Sequence, residues 1–260
     1  MLVKRALLCL ALVVIISTLI ITTGCAVITG SGDVITHEFD YGDFTRLEVD
    51  YAFSVEITQA DSYMIKISLD DNLFEYLDIG KSGDTLRITM QPGNIYSKTQ
   101  QRAVITLPDL ERLELAGASK AYVDGFTSSH NLEIKISGAS QVDISDVISG
   151  NAYLEISGAS KIDGTFTMKD VVFDVSGASS VTLEGSAEDM SLDASEASTI
   201  NLSDLTLINA WINLSGASQA TVNASGQLSG DLSGASLLEY LGNPTIGNFT
   251  SSGASTIRPK

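Results

Sequence analysis

One tetrapeptide constrains this chain more than any other feature: Ser-Gly-Ala-Ser recurs through its last two-thirds. It reads Ala116-Gly117-Ala118-Ser119, Ser137-Gly138-Ala139-Ser140, Ser157-Gly158-Ala159-Ser160 and Ser176-Gly177-Ala178-Ser179. It continues as Ser195-Glu196-Ala197-Ser198, Ser215-Gly216-Ala217-Ser218, Ser233-Gly234-Ala235-Ser236 and Ser252-Gly253-Ala254-Ser255. From Gly117 to Gly253 the second position returns after 21, 20, 19, 19, 20, 18 and 19 residues. A period near twenty marks a solenoid, whose repeats each bury their apolar face only by stacking on neighbours.

Strand-like alternation flanks every copy. Leu154-Glu155-Ile156, Phe173-Asp174-Val175 and Ile212-Asn213-Leu214 precede the corner; Gln141-Val142-Asp143-Ile144 and Thr199-Ile200-Asn201-Leu202 follow it. Period two sends one residue set inward and the other to solvent. Each repeat is therefore two short strands around a corner plus a looser third side, and parallel stacking of such repeats is a β-helix. Val142, Ile162, Val181 and Ile200 should form one inward column, and Leu154, Phe173 and Leu192 another.

At the corner, the Ala present in every copy is expected to point inward, where a larger side chain would overfill the core. The last Ser is expected to supply a hydroxyl ladder to backbone groups at the bend. Gly117, Gly138, Gly158, Gly177, Gly216, Gly234 and Gly253 are the structural corner residues. Glu196 in their place predicts that the site does not require a positive φ.

Residues 1–25 read as a targeting segment. Lys4 and Arg5 precede an apolar run from Ala6 to Ile21, and Thr22-Thr23-Gly24-Cys25 ends it. Small residue followed by Cys resembles a bacterial lipoprotein signal with Cys25 as the lipidated residue, although Thr22 departs from the usual aliphatic position. An uncleaved anchor helix extending to Ile28 is the alternative. Either way the body is extracytoplasmic and membrane-tethered, at the cell envelope or surface. With Cys9 and Cys25 the only cysteines, the body cannot form a disulfide. Loss of Lys4 and Arg5 takes the formal charge from −17 to −19, which argues against nucleic acid as a partner.

Residues 26–32 read as a tether and 33–260 as a single β-helix domain, with degenerate coils over 33–112 and regular repeats over 113–260. Strands are expected around 45–49, 54–58, 63–69, 85–90 and 102–107, with a helical turn or bulge after Asp70-Asp71-Asn72 and a turn-rich excursion over 91–101. The last coil has little after it, so the C-terminal end is either blunted by Pro244 and Pro259 or a docking surface for end-to-end, homo-oligomeric contact.

The run Leu107-Pro108-Asp109-Leu110 leading to Leu113-Glu114-Leu115-Ala116-Gly117-Ala118-Ser119, the repeated Leu-x-Ile-Ser-Gly-Ala-Ser and the block 44–57 with Phe53-Ser54-Val55-Glu56-Ile57 resemble the bacterial auto-transporter adhesin, head GIN domain family. The resemblance spans nearly all of 33–260. It implies an exported, often lipid-anchored, right-handed parallel β-helix, with adhesion as the role and no assigned catalytic residues.

Chemistry is sparse. His37 and His130 lie far apart with no metal-ligand spacing, and Ser-Gly-Ala-Ser is not a nucleophile elbow. Asp143 and Asp163 occupy equivalent places in successive coils, the nearest approach to a glycosidase pair, but Thr182 and Asn201 follow them and Trp211 stands alone. A carbohydrate-active enzyme, a polysaccharide lyase or hydrolase, is thus the runner-up, and an envelope scaffold a third reading. Three residues before the corner run Glu114, Lys135, Glu155, Asp174, Asp193, Asn213 and Asp231, an outward stripe. Glu155, Asp174 and Asp193 are consecutive acids: a solvated face, or a site for calcium, the one cofactor the stripe could take. The sequence thus points to a non-enzymatic, adhesin-like module with a surface glycan or protein as ligand.

Overall fold

The computed structural model describes residues 26–260. It is an all-β solenoid of about seven turns with ~20 residues per coil. The targeting segment and Cys25 lie outside the described residues. Among those described, no helix is long and apolar enough to cross a membrane.

Both expected inward columns form. Val142 pairs in register with Ile162, Ile162 with Val181 and Val181 with Ile200. Leu154 pairs with Phe173 and Phe173 with Leu192. All seven are buried. In-register pairing beside the corner, repeated coil upon coil, gives one continuous core rather than a row of small ones.

The N-terminal part departs from simple coil order. Its strands are β1 (Ala26–Thr29), β2 (Val34–Glu38), β3 (Arg46–Val49), β4 (Ser54–Gln59), β5 (Met64–Asp70), β6 (Leu77–Ser82), β7 (Thr85–Met90), β8 (Asn94–Ser97) and β9 (Gln101–Leu107). The first regular coil follows as β10 (Arg112–Leu115) and β11 (Lys120–Asp124). β3 is parallel to both β7 and β10, and β4 to both β9 and β11. The rung made by β3 and β4 therefore sits between a rung that comes later in sequence and the first regular coil. Below it the direction reverses, since β5 is antiparallel to β9, β6 to β7 and β2 to β5. Residues 33–112 are thus not degenerate parallel coils throughout. They contribute two rungs and an antiparallel cap that covers the solenoid's first edge. The turn expected after Asp70 is a 3-10 helix, Asp71–Tyr76.

Nor are residues 26–32 a free tether. β1 pairs with β8 in the excursion over 91–101, Ser31 and Gly32 donate backbone N–H groups to Asn72 and Asp70, and Asn72 Nδ2 donates to the Thr29 carbonyl. Asp70, 1% exposed, also accepts the Gln100 N–H at 2.9 Å. Two backbone donors offset the cost of burying that carboxylate.

The corner corrects two expectations. Every Ala is exposed, and it is the final Ser that points inward: Ser119, Ser140, Ser160, Ser179, Ser198, Ser218 and Ser236 are all buried. The Ser179, Ser198 and Ser218 hydroxyls donate at 2.7 Å to the carbonyl three residues earlier in their own corner. The buried hydroxyls of Ser119, Ser140, Ser160 and Ser236 have no partner among the described residues, so the expected ladder forms only in part. The Gly position does adopt a positive φ, 65–79° across the seven glycines and 64° at Glu196 itself. Glycine has a second reason to be there. A Cβ on Gly158 would lie 2.4 Å from the Gly138 carbonyl oxygen, which accepts the Ala159 N–H at 2.9 Å. Corner backbones thus stack as closely as strands do, and the ladder continues around the bend.

Candidate functional site

The outer face of the pre-corner sheet carries the chain's exposed chemistry. Period two projects every second residue of these strands outward, and parallel register turns each position into a column. One column runs Arg46, Arg112, Glu133, Tyr153, Val172, Ser191, Trp211, Ser229. Two residues on lies the column Glu48, Glu114, Lys135, Glu155, Asp174, Asp193, Asn213, Asp231, so the expected stripe forms in register.

The stripe is mostly acidic, with Lys135 as the one cation among six carboxylates. Lys135 Nζ lies 2.9 Å from Glu155 and 3.3 Å from Glu133, and its bond to Glu155 holds its pKa above the ordinary amine value. Asn213 Nδ2 donates to Asp193 at 2.7 Å. Asp174 lies between these two engaged carboxylates. Tyr153, beside Lys135, has its phenol pKa raised, first by desolvation and then by Glu155.

Within the other column Tyr153 and the adjacent Val172 are 36 and 40% exposed, and Trp211, one coil beyond Ser191, is 42% exposed. A groove of about 520 Å³ opens beside Tyr153 and Val172, reaching Arg46, Glu111 and His130. Two smaller grooves, about 290 and 300 Å³, flank Trp211.

At the lower end of the large groove His130 Nδ1 is bonded to Asp109 Oδ2, which raises the imidazole pKa, hydrogen bond first and Coulomb attraction second. Ligand atoms of Asp109, Glu111 and His130 lie within 4.8 Å of one another. Among the described residues this is the acid and histidine trio that converges; Glu155, Asp174 and Asp193 do not form one. Sequence spacing missed the trio because Asp109 and His130 are 21 residues apart. That separation is one coil of the repeat, which is the signal that could have found it.

Asp143 and Asp163 are in register, as their spacing predicts. Each carboxylate is engaged on its own strand: Gln141 Nε2 donates to Asp143 at 3.0 Å and Lys161 Nζ lies 2.7 Å from Asp163. Thr182 and Asn201 continue the column. Cys25 lies outside the described residues.

Residues 43–244 match the family described as "Putative auto-transporter adhesin, head GIN domain". None of the curated proteins matches the chain. Among solved structures, a "putative lipid binding protein" from Parabacteroides distasonis superposes with a TM-score of 0.83 at 19% identity, covering 90% of this chain and 99% of its own. A "putative adhesin" from the same species gives 0.78 at 16% identity, covering 90% and 100%. Another from Parabacteroides merdae gives 0.77 at 15%, covering 91% and 100%. At these identities the likeness is one of fold.

Proposed function

From the premise that the chain belongs to the auto-transporter adhesin, head GIN domain family, we propose that it is a non-catalytic, adhesin-like binding module tethered at the cell envelope through Cys25. Its ligand-bearing surface is the outer face of the pre-corner sheet. The observation that carries this is the exposed Tyr153, Val172 and Trp211 of one outward column, with a groove beside Tyr153 and Val172 and others beside Trp211. Exposed aromatic side chains in grooves on a rigid sheet suit recognition, because little order is lost when a partner docks. The tether is supported by the apolar run ending at Cys25 and by the exposure of Val27 and Ile95, paired side by side where the chain enters the cap.

The test displays the full-length protein on lipid vesicles over mucin-coated and bacterial-cell-coated surfaces under flow. Retention is expected for the natural chain and should fall at least tenfold in Tyr153→Ala/Val172→Ala/Trp211→Ala. A control variant, Tyr122→Ala/Ile148→Ala, removes exposed apolar groups from the post-corner strands and should be retained normally. Equal retention of both variants, or none of the natural chain, would refute the assignment of this face.

A further inference from the structure

Trp211 is the chain's single tryptophan, and no catalytic or packing role accounts for its exposure. Its column neighbours are Ser191 and Ser229, in register on either side. Small residues at both positions leave open space along the indole, and the two flanking grooves are the result. The ring is framed laterally as well. Two residues before it runs the column Asp189, Asn209, Gln227; two residues after it runs Asp193, Asn213, Asp231.

These polar heads are held in place. Asn209 Nδ2 donates to Asp189 at 2.8 Å, Asn209 Oδ1 accepts the Gln227 N–H at 2.8 Å, and Asn213 Nδ2 donates to Asp193 at 2.7 Å. Rigid strands and fixed rotamers are what a preorganised site needs. Neither groove is lined by Lys, Arg or His. An anionic ligand would meet uncompensated carboxylates there. A quaternary ammonium is ordinarily taken by a cage of several aromatic rings, and here there is one. A protein partner's hot spot is normally a core depleted of charge, whereas three aspartates frame this ring.

What remains is an uncharged ligand with a flat apolar face and a rim of hydroxyls. A pyranose has both: C–H groups on one ring face for the indole, and equatorial hydroxyls for amide and carboxylate heads. We infer that Trp211 and its Asp/Asn/Gln frame bind a neutral glycan chain of pyranose units, one sugar stacked on the indole and its neighbours lying in the two grooves. This deepens the surface-binding reading above and rests on it.

Because Trp211 is the only tryptophan, intrinsic fluorescence of the full-length protein in detergent reports the site directly. Maltoheptaose, cellohexaose, chitohexaose and xylohexaose are titrated separately, with choline and a polylysine peptide for comparison. At least one neutral oligosaccharide should give a saturable spectral shift. By calorimetry its affinity should drop at least tenfold in Trp211→Ala, several-fold in Asn213→Ala, and less in Trp211→Tyr. Circular dichroism checks that each surface variant remains folded. A flat response to all four sugars, undiminished binding by Trp211→Ala, or a response to choline or polylysine alone would overturn the inference. If vesicle retention depends on the face while all four sugars are silent, the glycan assignment alone falls. Sugar binding at Trp211 with retention indifferent to the face would uphold the site and remove the adhesive role.

Discussion

Glu196 occupies the one corner where the repeat lacks glycine, and it holds φ at 64° like the glycines around it. A left-handed conformation costs an L-residue roughly 1–2 kcal/mol, while glycine loses roughly 0.5–1 kcal/mol more backbone entropy on folding. Glu196→Gly should therefore stabilise the protein by about 0.5–1 kcal/mol in urea melts, and Gly158→Ala should destabilise it by more, through both φ and the Gly138 carbonyl. A neutral Gly158→Ala would contradict the stacking at the bend. The repeat disclosed where the corner lies, but not which of its residues points inward. Ala and Ser are both small, and only backbone geometry distinguishes the buried hydroxyl from the exposed methyl. His130 gives a second test at this scale. Its pKa is raised in the folded state by Asp109, so the bond's stabilisation is present below the unfolded value of about 6.5 and is lost as pH rises through the folded pKa. The stability lost in His130→Gln should be larger at mildly acidic pH than at alkaline pH. A pH-independent difference would dissociate His130 from Asp109, leaving Glu111 and Ser128 as its remaining neighbours.

Strands were the most legible elements. Alternation located 46–49, 54–59, 64–70, 85–90 and 101–107 to within a residue or so, and the repeat period gave the register of the strands beside the corner, though not the shifts further along the coils. It could not show that β3 and β4 are inserted between two later rungs, because alternation fixes a strand's face and says nothing of its neighbours. β1 and β8 escaped notice for a different reason: they pair with each other in a separate two-stranded sheet and bury no alternating apolar face. The acidic stripe, by contrast, is a property of register alone, and it was readable. With Glu155 engaged by Lys135 and Asp193 by Asn213, we expect a solvated stripe and not a calcium site. Replacing Glu155, Asp174 and Asp193 by Asn should raise stability slightly, since adjacent coils about 4.8 Å apart hold like charges close. Calcium should leave the melting temperature of the natural chain unchanged. A calcium-dependent rise that disappears in the triple variant would reverse that expectation by mass action.

At the scale of the whole molecule, the solenoid has two unlike ends. The antiparallel cap covers one; at the other, the last strands, Thr245–Ser251 and Thr256–Pro259, pair with the preceding coil on one side only. The capped end is also where the N-terminal segment enters. Because β1 begins at Ala26 and is held through Thr29, Ser31 and Gly32, a lipid on Cys25 would hold the cap against the bilayer with almost no slack. Val27 and Ile95 would then face the interface, and the binding face would extend away along the stack. Two variants separate the steps. Cys25→Ser should shift the protein from the membrane to the soluble fraction or leave an unprocessed precursor, whereas an unchanged membrane fraction and mass would indicate an uncleaved anchor helix. Asp70→Ala removes the carboxylate that binds Gly32 and Gln100 while leaving Cys25 and the regular coils intact. In membrane vesicles, brief proteinase K treatment should release the solenoid from Asp70→Ala at least several-fold faster than from the natural chain. Circular dichroism should show the same β content in both. Equal release rates would mean that the docking of residues 26–32 does not protect the junction, and that the cap is free to swing on its anchor.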